Sequence, residues 1–245
     1  MSYFYILYVF IFDISYSSQT NRTRKEIMSY NSLSGKIIAL DGLIGAGKTV
    51  LGSSMETYLN NTLGLKARFF EEVVDKGVLA EYIADMKNQA FRFQMKMLRT
   101  RLEILEDAKI FSQSGGVSIL DRSTIGDMAF ARMQKDSGIF TDQEWTEYTE
   151  IISKHIDGGV DFIVIYLDCS VDVSMHRIRK RGTESEISGY TKEYLEHLGS
   201  SHKESLKLVQ NKLCLDWNKD DVVLEGKIRK PGVIKVLDEI IQEFS

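Results

Sequence analysis

Eight consecutive residues carry the plainest chemistry in the chain. Gly42-Leu43-Ile44-Gly45-Ala46-Gly47-Lys48-Thr49 fits the pattern G-x-x-x-x-G-K-[ST]. At average residue usage such a match arises by chance in about one chain in a hundred of this length. Glycines let successive backbone N–H groups turn inward around an anionic phosphate, and a helix opening at Lys48 adds its dipole. Lys48 would reach the β and γ phosphates, and the Thr49 hydroxyl could ligate Mg2+. A glycine turn before a helix is the bland alternative, but nothing in such a turn requires Lys-Thr at that spacing.

Other reactive side chains fall where a phosphate-loop protein would use them. Asp41, Glu71 with Glu72, and Asp121 end the first three apolar runs that read as strands. The carboxyl ends of parallel strands are where an α/β sheet builds its site. An acceptor hydroxyl needs a carboxylate to position it and take its proton, and magnesium needs another. Alone, a strand-end acid reads as a cap or turn residue; three beside a phosphate loop read as a site. Arg122 follows Asp121 and would set a guanidinium near both acceptor and phosphates. Arg177, Arg179, Lys180 and Arg181 put four cations into five residues. That is either a solvated helix face or part of a lid, at about 177–190, that closes arginines over the transferring group. Asn218-Lys219-Asp220-Asp221 fits the N-K-x-D of guanine readers, yet no Asp in the chain has Gly three residues later. Without the D-x-x-G of a GTPase switch, the match reads as accidental.

These groups need a frame. Apolar runs at 36–41, 66–71, 117–121, 162–168 and 213–216 read as strands, the fourth nearly continuous, as a parallel strand covered on both faces should be. Helical spacing covers 48–63, 90–111, 123–134, 142–155, 171–180, 192–210 and 233–244. In the second of these, Phe93, Met97, Arg101, Ile104 and Ala108 share a face. Thr141 and Glu144 resemble a capping box. Strands separated by helices imply a doubly wound, five-stranded parallel sheet flanked by helices, a single α/β domain over 36–245.

Composition narrows the partners. The chain has 245 residues, 43% hydrophobic and 27% charged, enough for a sizeable core. With 31 basic against 35 acidic side chains the formal charge is −4, which argues against a broad surface for gripping nucleic acid. A single proline, Pro231, excludes proline-rich linkers. Cys169 and Cys214 lie in or beside apolar runs and read as buried free thiols, not a disulfide or zinc pair. Residues 1–11 are aromatic and β-branched but too short to span a bilayer, and they lack the features of a signal peptide. The following segment, with Arg22, Arg24 and Lys25, is only weakly like a mitochondrial transit peptide. Residues 1–35 are therefore expected to lie outside the fold, with Met28 as a second possible start of translation.

Taken together, the ordered motifs resemble the deoxynucleoside kinases. The match covers about Ile37 to Asp221, through the glycine loop, the acid after the second strand, A-F-R-F-Q (90–94), D-R-S (121–123), H-R-I-x-x-R-G (176–182), Y-L-E-H-L (194–198) and L-D-W-N-K-D (215–220). The resemblance implies a P-loop kinase that passes phosphate from ATP, with Mg2+, to the 5′-hydroxyl of a deoxynucleoside. It implies Glu71 as general base, Arg122 as the holder of the 5′ oxygen and phosphates, and Asp121 as the magnesium-associated acid. Gln94 would pair with the base edge, Arg101 and Asp127 would read the base, and Phe130 would stack on it. Tyr82 and Glu186 would hold the 3′-hydroxyl, Arg177 and Arg181 would serve as lid arginines, and Asp216, Asn218 and Asp220 would wrap the adenine of ATP. It further implies a cytoplasmic homodimer in nucleotide salvage, with a mitochondrial location less favoured.

Several positions depart from that pattern. Glu72 stands where the family commonly has proline, Thr183 where a further lid arginine is expected, and Met95-Lys96 follow Gln94. An acid at Asp127 suits a base with an exocyclic amino group, and members that prefer thymidine place a small residue there. Thymidylate-type monophosphate kinases share the fold and a D-R motif, but they carry an arginine after the second strand. Here two acids stand where a phosphate would sit, which suits a neutral nucleoside.

Overall fold

The structure, a computed structural model, describes residues 29–156, 162–218, 223–224, 227–228 and 230–244. Five strands form one sheet: β1 (Ile37–Gly42), β2 (Ala67–Phe70), β3 (Val117–Asp121), β4 (Ile163–Asp168) and β5 (Lys212–Asp216). Their order is β2-β3-β1-β4-β5, and every pairing is parallel. The expected doubly wound sheet is thus the one observed. Val223–Leu224 and Lys227–Ile228 pair antiparallel as a separate two-stranded sheet.

All six residues of β1 and five of six in β4 are buried, so both strands read as continuous apolar runs. Their alternation splits the core. Ile38, Leu40, Ile165 and Leu167 pack on one face with Leu51, Met55 and Leu59 of α1 (Lys48–Asn61). Ala39, Val164 and Tyr166 pack on the other with Leu105 and Ala108 of α3 (Met86–Gln113) and Leu206 of α8 (Lys192–Leu206). Between α1 and α3 lies α2 (Lys76–Ala84), which the sequence reading did not anticipate. A third cluster, with Leu98, Met128, Tyr148 and Ile152, joins α3 to α4 (Thr124–Asp136) and α5 (Asp142–Ile156), away from the sheet. The remaining helices are α6 (Val171–Arg181), α7 (Glu184–Gly189) and α9 (Lys230–Phe244). Among the described residues no helix is long and apolar enough to cross a membrane.

Two expectations are corrected. The boundary at Gly35 falls too late: Tyr30 and Leu33 are buried in the core with Leu237 and Ile240 of α9, and the Tyr30 hydroxyl donates to Asp238 Oδ1 at 2.5 Å. Two apolar side chains three apart among polar residues carry too little periodicity to announce that packing. Residues 1–28, including Met28, lie outside the described residues. Cys169 is buried as expected, but Cys214 is exposed, because β5 is an edge strand and turns that side chain outward.

Candidate active site

Parallel register brings the ends of β1, β3 and β4 level, with Leu40 beside Asp121 and Gly42 beside Leu167. The phosphate loop leaves β1 at this edge and enters α1. Its glycines answer to packing as much as to dihedral freedom. Gly42 and Gly45 have φ of 147° and 77°. A Cβ on Gly42 would come within 2.8 Å of the Leu167 carbonyl, and one on Gly45 within 3.0 Å of the Ser174 carbonyl. Gly47 caps α1 without a side chain, so the first-turn N–H groups receive no side-chain acceptor there.

Lys48 folds back into the loop and donates to the carbonyls of Leu43 (2.9 Å) and Gly42 (3.4 Å). Burial and the neighbouring Arg122 lower its pKa to about 8, against the opposing pull of Asp121, Glu72 and Asp41. The Thr49 hydroxyl donates to Asp121 Oδ2 at 2.5 Å. Asp121 Oδ1 is buried and has no hydrogen-bond partner. A hydroxyl and a carboxylate with an uncommitted oxygen are the hard donors Mg2+ takes, so these residues fit that ion.

Arg122 is the only non-glycine with positive φ among the described residues, at 77°. That backbone conformation is costly for any residue with a Cβ and clusters at functional sites. Its Nη1 donates to the Gly42 carbonyl at 3.0 Å, and its guanidinium lies 4.8 Å above the Phe130 ring. Phe130, expected to stack on a base, therefore presents one face to Arg122. Asp41, expected among the reactive strand-end acids, is corrected to a scaffold role. It is fully buried and accepts from the Ser123 backbone N–H (3.1 Å) and hydroxyl, fixing the start of α4.

A cavity of about 640 Å3 opens beside the loop. Ile44, Gly45, Lys48 and Thr49 line its donor side, and Glu71, Glu72, Asp121 and Arg122 its middle. Gln94, Arg101 and Phe130 line one end, and Tyr82, Arg181 and Glu186 another wall. Most of the expected acceptor residues thus converge from distant parts of the chain.

Behind them sits Asp127, fully buried and not itself a wall. It accepts from Arg101 Nη1, from Gln94 Nε2 at 2.7 Å and from the Tyr148 hydroxyl at 2.8 Å. The backbone carbonyl of Asp127 takes the second Gln94 N–H at 3.2 Å. The expected Arg101–Asp127 pair exists, and Asp127 acts on the cavity through Arg101 and Gln94. Tyr148 was missed, since a tyrosine on an amphipathic helix signals core and nothing more.

Glu72, expected beside Glu71 as a strand-end acid and as a departure from the family pattern, is the interior acid of the two. Glu71 is exposed at the rim, whereas the Glu72 carboxylate accepts from Arg101 Nη2 and lies 3.5 Å from Arg122 Nε. Burial pushes the Glu72 carboxyl up, but Arg101, Arg122 and Lys48 together outweigh it and hold it below the ordinary value.

The residues expected to hold the 3′-hydroxyl and to form the lid have the following partners. The Tyr82 hydroxyl is 3.4 Å from that of Tyr194 and accepts from Gln134 at 3.4 Å, and its ring stacks on Phe93. Glu186 accepts from Arg181 at 2.8 Å. Tyr82 and Glu186 thus share the cavity, with Glu186 Oε1 held by Arg181 and the Tyr82 hydroxyl near Gln134 and Tyr194. Arg177 donates to the carbonyls of Ala46 and Trp217, both at 3.1 Å, tying α6 to the phosphate loop and to the segment after β5. Arg181 is half exposed and meets Glu186 through Nη2. Beyond β5, Asn218 donates to Asp216 Oδ1 through its N–H (3.1 Å) and its amide (2.7 Å). Asn218 Oδ1 accepts from Ser170 at 2.7 Å, which ties this loop to the start of α6. Asp220 lies outside the described residues.

Comparison with known proteins gives the same picture. The family model described as Deoxynucleoside kinase matches residues 38–242. A deoxyadenosine kinase of Dictyostelium discoideum is 33% identical over 178 residues, 72% of this chain and 69% of that protein. A deoxyguanosine kinase of Lactobacillus acidophilus is 35% identical over 161 residues, 63% of this chain and 66% of its own. Among solved structures, deoxyadenosine kinase from M. mycoides with bound dCTP superposes with a TM-score of 0.66 at 24% identity. It covers 84% of this chain and 99% of its own.

Proposed function

Since the chain belongs to the deoxynucleoside kinase family and moves a phosphoryl group from a nucleotide donor to a deoxynucleoside, we propose that ATP is the donor and that purine deoxynucleosides or deoxycytidine are accepted ahead of thymidine. The observation that carries the base preference is the Gln94 amide. Both of its N–H groups are committed to Asp127, so only its carbonyl oxygen remains for a ligand. An acceptor there suits an exocyclic amino group, which thymine lacks.

The loop N–H groups and Lys48 hold the donor phosphates, as phosphate loops do. Thr49 and Asp121 would hold Mg2+, which neutralises phosphate charge when bound. Arg122 steadies the 5′ oxygen. That oxygen forms its bond to the γ-phosphorus while the bond to the leaving diphosphate breaks, the electron pair departs with ADP, and the hydroxyl proton passes to a carboxylate, assigned to Glu71 by resemblance. Arg181 can leave Glu186 for the phosphates when residues 177–190 close, and the segment from Asp216 lies beside the donor loop. Two acids, Glu71 and Glu72, line the cavity after β2, where thymidylate-type monophosphate kinases carry an arginine, which favours a nucleoside over a monophosphate. The reading extends to a cytoplasmic homodimer in nucleotide salvage, as the resemblance implies, and to a catalytic domain that does not need residues 1–27.

The test is ADP formation with each of the four deoxynucleosides and, separately, with their monophosphates. Turnover is expected with deoxyadenosine, deoxyguanosine or deoxycytidine above thymidine, and none with monophosphates. Turnover of monophosphates alone would overturn the assignment.

A further inference from the structure

One face of α4 runs along the acceptor end of the cavity. Asp127, Phe130 and Gln134 are spaced three and four apart on that helix and so share the face. Asp127 is taken up by Arg101, Gln94 and Tyr148, and Phe130 faces Arg122. Gln134 lies in the wall that also carries Tyr82, Glu186, Tyr190 and Tyr194. It is 1% exposed. Its Nε2 donates to the Tyr82 hydroxyl at 3.4 Å, and its Oε1 is buried with no hydrogen-bond partner.

Packing does not call for this amide. A buried carbonyl oxygen left without a donor is costly, and an apolar side chain of the same length would fill the space without that cost. A local rule broken in the wall of a site points to a role in the site. The chemistry open to Gln134 is to fix a proton. A tyrosine hydroxyl has one proton and two lone pairs. Gln134 fills one lone pair of Tyr82, so the Tyr82 proton must turn away from it. The Tyr82 ring stacks on Phe93 with centroids 4.4 Å apart and planes 3° apart, which limits how that hydroxyl can move. The Tyr194 hydroxyl stands 3.4 Å from it. Burial raises the pKa of both tyrosines, so both keep their protons near neutral pH.

A deoxynucleoside whose base meets Gln94 and Arg101, and whose 5′ oxygen meets Arg122, has one further hydroxyl, at C3′. The wall of tyrosines, Gln134 and Glu186 is the part of the cavity left to receive it. Glu186 can accept the proton of that hydroxyl, and Tyr82 can donate to its oxygen only if the Tyr82 proton faces the cavity. We propose that Gln134 is a positioning residue for the sugar, holding the Tyr82 hydroxyl so that its proton is offered to the 3′-hydroxyl of the nucleoside. This rests on the deoxynucleoside kinase reading above.

The experiment compares the full chain with Gln134→Met, which keeps the length of the side chain and removes both polar ends. Both kcat and KM are measured with ATP for the best 2′-deoxynucleoside and for its 2′,3′-dideoxy analogue, which lacks only the 3′-hydroxyl. The parent chain should favour the deoxynucleoside in kcat/KM. Gln134→Met should lose about 3- to 10-fold in kcat/KM on the deoxynucleoside, the scale of one hydrogen bond between neutral groups. On the dideoxy analogue it should change by less than about twofold. Its melting midpoint should hold or rise, because the orphaned oxygen goes with the amide. Tyr82→Phe should show the same selective loss, and adding Gln134→Met to it should lose less than about twofold more, since the amide acts through a hydroxyl already gone. Gln134→Leu keeps the test decisive if the methionine variant folds poorly. Equal falls on both substrates would make Gln134 a plain structural support, unchanged kinetics would make it idle, and additive losses with Tyr82→Phe would give it a separate role; each overturns the proposal. So does a parent chain that treats the two substrates alike. A parent chain that phosphorylates no deoxynucleoside at all would instead fail the functional reading on which the proposal stands.

Discussion

At the phosphate loop, the groups that would meet a ligand come from eight consecutive residues between β1 and α1. Further along the same cavity, Glu72, Gln94, Arg101 and Arg122, with Asp127 behind them, come from the segment after β2, from α3, from the end of β3 and from α4. The donor end is mostly backbone, held in shape by glycines packed against β4 and α6. The acceptor end is a polar side-chain network in which Glu72, Arg101 and Asp127 each meet two other members. A backbone site tolerates loss of a single side chain structurally and fails chemically. A buried charged network fails in both ways at once, because removing one partner strands the rest. Selective loss of chemistry at one end and joint loss at the other is the testable form of this contrast.

Lys48→Ala should show the largest effect. Removing a preorganised charge aimed at developing phosphate charge is expected to lower kcat by about 10² to 10³-fold. Lys48 is buried at a cost, so its removal should leave the thermal midpoint unchanged or raised. Initial rates of ADP formation beside a melting curve check both halves. A variant that loses stability and activity together would erase the distinction between the two ends.

Arg101→Ala is the matching cut at the acceptor end. It leaves the fully buried Asp127 and the half-hidden Glu72 without their guanidinium. The expected destabilisation is about 3–5 kcal/mol, a fall of roughly 6–20 °C in a chain of this size. Adding Asp127→Asn should return part of that loss, because the stranded charge goes, so the two changes should be clearly non-additive. Additive melting shifts would show that the network is a set of independent pairs.

The same contrast explains what could be read in advance. Local signals gave the donor end almost whole: an apolar run buried on both faces, then glycines, then Lys-Thr at a helix start. Arg101 and Asp127 were legible as a pair only through resemblance, since nothing near either residue names the other. Asp41 looked like a reactive strand-end acid because its partner, Ser123, lies 82 residues away. Tyr148 looked like core, and its hydroxyl becomes meaningful only when α5 packs on α4. Helix α2 went unread because it opens Lys-Gly, although Asp75, which caps the N–H groups of Gly77 and Val78, was a usable signal. Glu72 was legible as an oddity, but its role depends on two arginines that only the folded chain brings to it.

The two ends should also differ in their coupling to protons. Lys48, with a pKa of about 8, is partly neutral in the free protein at pH 8.5. Polyphosphate bound beside it raises that pKa, so binding ATP at pH 8.5 should take up a substantial fraction of one proton. The uptake should vanish at pH 6.5, where Lys48 is already charged. Binding heats in buffers of different ionisation enthalpy measure it, and Lys48→Ala should abolish it. For stability the sign is the reverse of an ordinary lysine partner: the folded form binds fewer protons, so this group favours folding increasingly as pH rises from about 8 towards 10.5. The Glu72 carboxyl is held low and stays ionised across this range, so nucleoside binding at the acceptor end should show no such uptake through it. Equal proton uptake by both ligands would break the contrast.

The smallest expected effect separates two reasons for glycine. Gly182 ends α6 with φ of 80°, and a Cβ there would meet nothing within 4 Å. Gly45 has a similar φ of 77°, but a Cβ there would press on Ser174 and Ile178 at 3.0 Å. Gly182→Ala therefore meets only the dihedral penalty, about 1 kcal/mol, a fall of about 2–4 °C with kcat within about twofold. Gly45→Ala meets the same penalty and must also push α6 away from the phosphate loop, so its melting loss should be larger and should come with a loss of rate. If the two variants melt alike and keep equal rates, the loop is shaped by its dihedrals alone and the packing of α6 against it contributes nothing. A clear gap between them would show that the donor end owes its geometry to tertiary contact, as the acceptor end does, with backbone in place of charge.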